Sequence, residues 1–368
     1  MNVVVVSSAG ACGIYEYSQI LLSGFAALGQ QVRYIGVRNW DDADLRRQMR
    51  SLKPDDEVVV FEYEPGIFHL GALARAMSYV RFVRRKQVVL SVHEIGPDKF
   101  SHFHDIQRRL QQPARFGLLG ELVRLPWATL DVAAHYYAMR MGWTALGWLP
   151  QIIVVHSQRG QESIGIITSD RGKVVNIPLA VKGQAGDKQA LRAELNLPPD
   201  RFLFISPGFL FRRKRIVETI QQLPDNAELL IVGLPSEFDP GYLEEIHAAL
   251  QRLPGKKVRL IHDYDRMEQY LLASDAVVMY YENVYQSAVA PLAVGAGKPC
   301  LWSDLPAFAD FKGAGLFVKS PAELHQAMID IQEPARYAEL QAGTARLRAE
   351  LSPARTAQAY LDALLARR

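Results

Sequence analysis

The feature that most constrains this chain is a repeated rhythm of short, uninterrupted apolar runs, each followed by a stretch whose apolar positions recur at helical spacing. Val3–Val6 is the first run, four β-branched residues with no polar alternation, which is how a strand covered on both faces reads. Gln31–Ile35, Glu57–Phe61, Gln87–Val92 and Ile152–His156 continue the series. A second series runs through Phe202–Ile205, Glu228–Val232, Lys257–Ile261, Ala276–Tyr280, Pro299–Trp302 and Gly315–Val318. Strands alternating with helices specify parallel sheets coated by helices on both faces, and argue against all-β and all-α architectures. Between the series, the proline of Val174-Val175-Asn176-Ile177-Pro178 and the polar stretch Lys182–Lys188 read as a linker. The expectation is an α/β protein of two doubly wound parallel-sheet domains facing across a cleft. The first spans 1–178 with Val3–Val6 as its first, central strand, and the second spans 179–352. A last helix, Pro353–Leu365 within 353–368, is long enough to return across the domain junction to the N-terminal domain.

Length agrees, since 368 residues exceed one ordinary domain and suit two of roughly 180. A formal net charge of +3 is too small to argue for nucleic acid. Cys12 and Cys300 stand far apart with no second pair, which gives neither a disulfide framework nor a zinc ribbon and points to a reducing, cytoplasmic setting. The opening Met-Asn-Val-Val-Val-Val has no basic segment before its apolar run, so no signal peptide is expected. No stretch reaches 18 uncharged apolar residues, so no transmembrane helix is expected either.

The stretch richest in chemistry is Ser206 to Ile216, Ser-Pro-Gly-Phe-Leu-Phe-Arg-Arg-Lys-Arg-Ile. A buried strand opening into a glycine turn, then Arg212, Arg213, Lys214 and Arg215, then a helix from Ile216, is an arrangement that holds a phosphate-bearing ligand. A solvated basic loop is the competing reading. In the first domain, Ser7-Ser8-Ala9-Gly10-Ala11-Cys12-Gly13 is a loop of small residues able to expose backbone N–H groups. The helix after it carries Ile14, Ser18, Leu21, Leu22, Phe25, Ala26 and Leu28 on its apolar side and stops at Gly29. Gly10-x-x-Gly13 is not the three-glycine dinucleotide pattern. Polar residues at strand ends are where such sheets bind ligands, which marks Glu62-Tyr63-Glu64 and His93-Glu94.

Taken in order, these motifs resemble a known family. Cys12-Gly13-Ile14 with Tyr17-Ser18, Glu62-Tyr63-Glu64-Pro65-Gly66, Ser91-Val92-His93-Glu94, Val154-Val155-His156-Ser157 with Ile177-Pro178, Gly208 with Lys214, Ala273-Ser274-Asp275-Ala276-Val277-Val278 and Gly295-x-Gly297-Lys298-Pro299 resemble a retaining glycosyltransferase of the family-4 type over nearly the full length. The resemblance implies the GT-B fold, two Rossmann-like domains with the acceptor on the N-terminal side and a nucleoside-diphosphate sugar on the C-terminal side. It implies no separate cofactor, a saccharide or lipid-linked acceptor, and transfer with retention of anomeric configuration. Within it, Lys214 with one or more of Arg212, Arg213 and Arg215 would meet the charge that develops on the leaving diphosphate, without a metal. Gly208, the helix start at Gly13 and the turn Gln286-Ser287-Ala288 would add backbone donors, and His93 would stand near the transferred sugar.

One departure matters. Family members usually carry two glutamates eight positions apart before the Gly-x-Pro turn, and those positions here are Val284 and Leu292. Glu282 lies close by and is the candidate to take over sugar-hydroxyl recognition. A sugar-nucleotide epimerase of the same fold and a catalytically inactive glycan- or nucleotide-binding homologue are the alternatives.

Other motifs have plainer readings. Asp263-Tyr264-Asp265 matches an Asp-x-Asp metal pattern but reads as the cap of the helix carrying Met267, Tyr270 and Leu271, and Asp42-Ala43-Asp44 reads as a helix start. His102 and His104, with His93, read as solvent-facing or partnered rather than as a metal cluster, and Cys12 has no base beside it to make it a nucleophile. Pro113 to Pro150 holds Trp127, Trp143 and Trp148 among Arg115, Arg124 and Arg140, which suits either two ordinary core helices or a peripheral contact with the inner face of a membrane.

Overall fold

A computed structural model of the chain describes residues 1–10, 12–94, 141–167 and 171–367. Two compact units emerge, Met1–Ile177 together with Ala357–Arg368, and Pro178–Thr356. Each is built on a six-stranded parallel sheet with helices around it, as the alternation of runs predicts.

In the first unit the strand order is β2-β1-β3-β4-β5-β6, with β1 Asn2–Ser8, β2 Gln31–Val37, β3 Val58–Tyr63, β4 Gln87–Val92, β5 Ile152–Val155 and β6 Val174–Asn176. Val3–Val6 are almost wholly buried, because β1 has a strand on each side and side chains on both faces. It is nevertheless next to the edge, and the middle of the sheet falls to β3 and β4. A second difference lies at the expected linker. Val174 and Val175 form a short sixth strand, with Val174 opposite Ile153, before the chain leaves the sheet at Ile177-Pro178. β-branched residues favour that use, and the proline ends it.

The helix Gly13–Ala27 buries Tyr17, Leu21, Leu22 and Phe25 and stops where Gly29 adopts φ +73°. A left-handed residue there lets the Gln30 N–H return to the Phe25 carbonyl at 3.1 Å. The helix Asp42–Arg50 is capped by Asp41, whose carboxylate accepts from the Asp44 N–H at 2.8 Å, so the acidic run marks a helix start. Trp143 lies in the core with its ring edge-on to Tyr63 at 5.4 Å, which removes it from any membrane-facing surface. The last helix, Pro353–Leu365, buries Ala357, Tyr360, Leu361 and Leu364, and Tyr360 meets Phe25 of the first unit at 6.1 Å.

The second sheet runs β12-β11-β10-β7-β8-β9, with β7 Phe202–Pro207, β8 Ala227–Val232, β9 Val258–Ile261, β10 Ala276–Met279, β11 Cys300–Ser303 and β12 Gly315–Val318. Its two faces bury separate apolar layers, one around Ile205, Val277 and Trp302 and the other around Phe204, Ile231 and Leu301. Among the described residues no helix is long and apolar enough to cross a membrane.

Candidate functional site

Chemistry-bearing side chains gather at the carboxyl ends of the strands in both units. In the second unit the organising residue is Gly208, directly after β7, at φ +91°. Its N–H is held by the Val232 carbonyl at 2.9 Å. A Cβ on Gly208 would stand 3.0 Å from Lys214 Nζ, and a Cβ on Gly233 would stand 2.1 Å from the Gly208 carbonyl oxygen. Two glycines thus let two strand ends touch and bring the lysine head beneath the turn. Gly233 is a site-building residue that sequence reading missed; its place directly after a buried strand run was the available signal.

Lys214 is buried and donates to the Pro207 carbonyl at 2.8 Å, with its ammonium 5.7 Å from the Tyr281 ring centre. A carbonyl and a ring face do not neutralise an ammonium. Burial, helped by nearby Arg213, pulls the Lys214 pKa down to about 7. Arg213 lays its guanidinium over the Phe211 ring at 4.9 Å, and its carbonyl accepts from the Glu282 N–H at 2.7 Å, which ties the exposed Glu282 to the cation turn.

Four adjacent cations do not share one task. Arg212–Lys214 form a single 3-10 turn, which sends neighbouring side chains about 120° apart. Arg212 is ion-paired with Asp239 and with Glu245, whose hydrogen bond is the largest influence raising the guanidinium pKa. It clamps the segment before Tyr242, and its charge is already answered there. Arg215, left-handed at φ +49°, lies over Tyr280 at 5.2 Å. The helix Ile216–Gln222 is also engaged at its start, because the Tyr242 hydroxyl accepts from the Ile216 N–H at 2.8 Å. Tyr242 thus caps that helix start, and Lys214 and Arg213 remain as the cations to consider.

Val284 is buried in the core and Leu292 packs against it, so neither offers a polar group to a ligand. The turn Gln286-Ser287-Ala288 leads into the helix Val289–Gly295, and Val289 lies 3.6 Å from where a Gly208 Cβ would be, which places this turn beside the Gly208–Lys214 pair. Gln286 Oε1 is buried without a hydrogen-bond partner. On the outer side, Phe209 is 46% exposed and stacks on Tyr264 at 5.4 Å. Asp263 makes no side-chain cap bond; it precedes a 3-10 turn, Tyr264–Arg266, that leads into the helix Met267–Ala273.

In the first unit β3, β4 and β5 are neighbours, and each supplies a polar residue at its carboxyl end. Glu62 sits opposite Ser91 in the ladder, His93 follows β4 and His156 follows β5. His93 Nε2 is 2.6 Å from Glu62 Oε2, and the two imidazoles lie 4.6 Å apart. His156 Nδ1 is 2.8 Å from the Ile177 carbonyl, an acceptor, so that nitrogen carries the proton and Nε2 accepts from the Ser91 hydroxyl at 2.9 Å. Tyr360 donates to Ser91 at 3.1 Å, and the Tyr17 ring is edge-on to both histidines.

Burial decides the charge of this cluster. It pushes the Glu62 carboxyl up to about 7 against the opposing pull of His156 and Ser91, and it pushes both histidines down to about 3. Glu62 and His93 thus hold one shared proton rather than an ion pair. The ligand atoms of Glu62, His93 and His156 lie within 4.8 Å of one another, a donor set able to take a metal ion. The hydrogen bonds among them and to Ser91 and Ile177 satisfy most of that donor capacity within the protein. His156, Ser91, Tyr17 and Tyr360 escaped sequence reading as members of one cluster, because four distant segments supply them.

Gly13 opens its helix exposed, with no heavy atom within 4 Å of where a Cβ would stand, and Cys12 before it makes no side-chain cap bond. His102, His104, Arg115, Trp127 and the rest of the Pro113 stretch before residue 141 lie outside the described residues.

No family model matches the chain, and no curated protein matches it by sequence. Solved structures do match it in shape. HepE of Anabaena in complex with UDP and glucose superposes with a TM-score of 0.70 at 14% identity, covering 100% of both chains. Sucrose-phosphate synthase of Thermosynechococcus elongatus gives 0.64 at 16%, again over 100% of both. The catalytic domain of starch synthase IV from Arabidopsis thaliana, bound to ADP and acarbose, gives 0.65 at 11%, covering 100% of this chain and 99% of the other. With its two six-stranded parallel sheets, the chain has the two-domain α/β fold of these GT-B structures.

Proposed function

We propose that this chain is a glycosyltransferase that moves a sugar from a nucleoside-diphosphate sugar to a saccharide or lipid-linked acceptor, with retention at the anomeric carbon. The observation that carries the reading is Lys214, a buried ammonium beside a left-handed glycine turn, bonded to a carbonyl instead of a carboxylate. Such a cation is completed by an anion that comes and goes. When the bond between the sugar and the β-phosphate oxygen breaks, the electron pair goes to that oxygen, and a preplaced ammonium lowers the barrier as the charge grows. Arg213 and the N–H groups of the Ser287 turn assist, and no metal is needed for this step. Phe209 on Tyr264 offers a base a ring to stack on. His93, fixed by Glu62, presents a neutral imidazole for sugar hydroxyls, and Glu282 supplies the carboxylate missing at Val284.

The UDP and ADP bound by two of the similar structures make UDP-glucose and ADP-glucose the first donors to assay. The test is release of nucleoside diphosphate from a donor panel, with and without saccharide acceptors, and NMR of the product anomer. Acceptor-dependent release with a retained configuration is expected, and Lys214→Ala should lower turnover at least about 100-fold. Lys214→Arg should not restore it, because a planar fork does not replace a compact ammonium. A converted sugar nucleotide without diphosphate release would instead identify an epimerase. Binding without turnover of any donor would identify an inactive homologue.

A further inference from the structure

A cleft of about 420 Å³ opens in the second unit at the amino ends of its strands. Arg201 and Phe202 line it where β7 begins, Asn226 where β8 begins and Asp275 where β10 begins, and these three strands are neighbours in the sheet. Gly208 follows the other end of β7, a six-residue strand whose ends stand about 20 Å apart. Sheets of this kind take their ligands at the carboxyl ends, so the fold alone does not account for a cleft here. Its volume is that of a small-metabolite site, and its lining is polar except for Pro199 and Phe202, which favours a charged, hydroxylated molecule.

The charges in this cleft do not cancel. The helix Lys188–Glu194 places Lys188 and Arg192 one turn apart on its wall. Asp275 meets both, Lys188 Nζ at 3.0 Å and Arg192 Nη2 at 2.6 Å, and also accepts from the Leu203 N–H at 2.7 Å. One carboxylate thus answers two cations. Other acceptors of Arg192 are backbone carbonyls, among them Pro199 at 2.7 Å and Arg201 at 3.1 Å, which fix the guanidinium without neutralising it. Behind Asp275 the buried Lys298 donates to the Leu272 and Ser274 carbonyls at 2.7 Å each, which brings a further ammonium to the same carboxylate. Arg201 is the group left open: it lines the cleft, and its buried Nη1 has no hydrogen-bond partner. A buried guanidinium N–H without an acceptor is costly unless a ligand supplies one. Asp200 is the other carboxylate of the lining, and it is exposed to solvent.

We propose that this cleft is a second binding site, for a small sugar phosphate, with the phosphate on Arg201 and Lys188. A planar guanidinium pairs with phosphate through two parallel N–H donors, and Arg192 holds further positive charge behind it. Asn226 and Gln332 bond each other at 3.0 Å and, with Gln189, present the amide donors and acceptors that read sugar hydroxyls. A molecule seated here touches nothing at the Gly208 end of β7, so the inference does not depend on the reading of the Lys214 site.

The test is calorimetry of the full chain with glucose 1-phosphate, glucose 6-phosphate and fructose 6-phosphate, and with inorganic phosphate and glucose as the two halves of the ligand. At least one hexose phosphate should bind at about one site, inorganic phosphate at least about tenfold more weakly, and glucose without measurable heat. Arg201→Gln should weaken the binding at least about tenfold. Asp200→Asn should tighten it by about twofold or more, because a like charge is removed from the anion's surroundings. Asp200 is exposed, so this variant reports on the site even where Arg201→Gln fails to fold. Lys214→Ala should leave the binding unchanged, which separates this cleft from the other end of β7. No heat from any hexose phosphate, equal affinity for inorganic phosphate or for glucose, loss of binding in Lys214→Ala, undiminished binding by a folded Arg201→Gln protein, or no tightening in Asp200→Asn would each overturn the proposal.

Discussion

At the residue scale the informative groups are those whose charge the protein leaves unanswered or suppresses. The run Arg212 to Arg215 was legible as a phosphate-type signal, but adjacency in sequence does not say which way each side chain points. The 3-10 turn distributes them to Asp239 and Glu245, to the Phe211 ring, to the Pro207 carbonyl and to the Tyr280 ring. The Glu62–His93–His156 cluster makes a prediction about pH. The histidines are held down to about 3 from an ordinary 6.5, so between those values the unfolded chain binds more protons and stability must rise with pH. Glu62, pushed from 4.5 up to about 7, opposes this with the reverse sign over its own window. Two histidines outweigh one carboxyl, at about 1.4 kcal/mol per proton per pH unit. Urea midpoints should therefore climb from pH 4 to 6.5, and more steeply in Glu62→Gln, which lacks the opposing group. A flat profile in both proteins would contradict the burial assigned to these side chains.

At the element scale, strand existence was legible nearly everywhere because fully buried parallel strands write themselves as unbroken apolar runs. Boundaries and order were less so. Nothing in Val3–Val6 distinguishes the middle of a sheet from the position next to its edge, and Val174–Asn176 is too short to stand out from a linker without its partner Ile153. Glycines sort by the same logic. Gly233→Ala would drive a methyl to 2.1 Å from the Gly208 carbonyl, a clash of backbone with backbone, and should destabilise by about 2 kcal/mol or more in urea titration. Gly13→Ala meets open space and should change stability by less than about 0.5 kcal/mol. If both variants unfold alike, the close approach of β7 and β8 at Gly208 is wrong.

At the scale of the whole molecule, two sheets of the same kind carry two different chemical environments at their strand ends. One is a neutral, proton-sharing cluster built by β3, β4, β5 and the last helix; the other is a buried ammonium beneath a glycine turn. The second was readable from one local stretch, and the first was not, because Tyr17 and Tyr360 are 343 positions apart. The central claim is that the second unit holds a nucleoside diphosphate through Lys214. Calorimetry with UDP, GDP and ADP, in the presence of a chelator and at pH 8, tests it most directly. One nucleotide should bind with about one site, and the heat should vary with the ionisation enthalpy of the buffer, because a lysine pulled down to about 7 takes up a proton when the diphosphate arrives. Lys214→Ala should weaken that binding at least about tenfold. Binding of none of the three, or equal affinity in a folded Lys214→Ala protein, would contradict it.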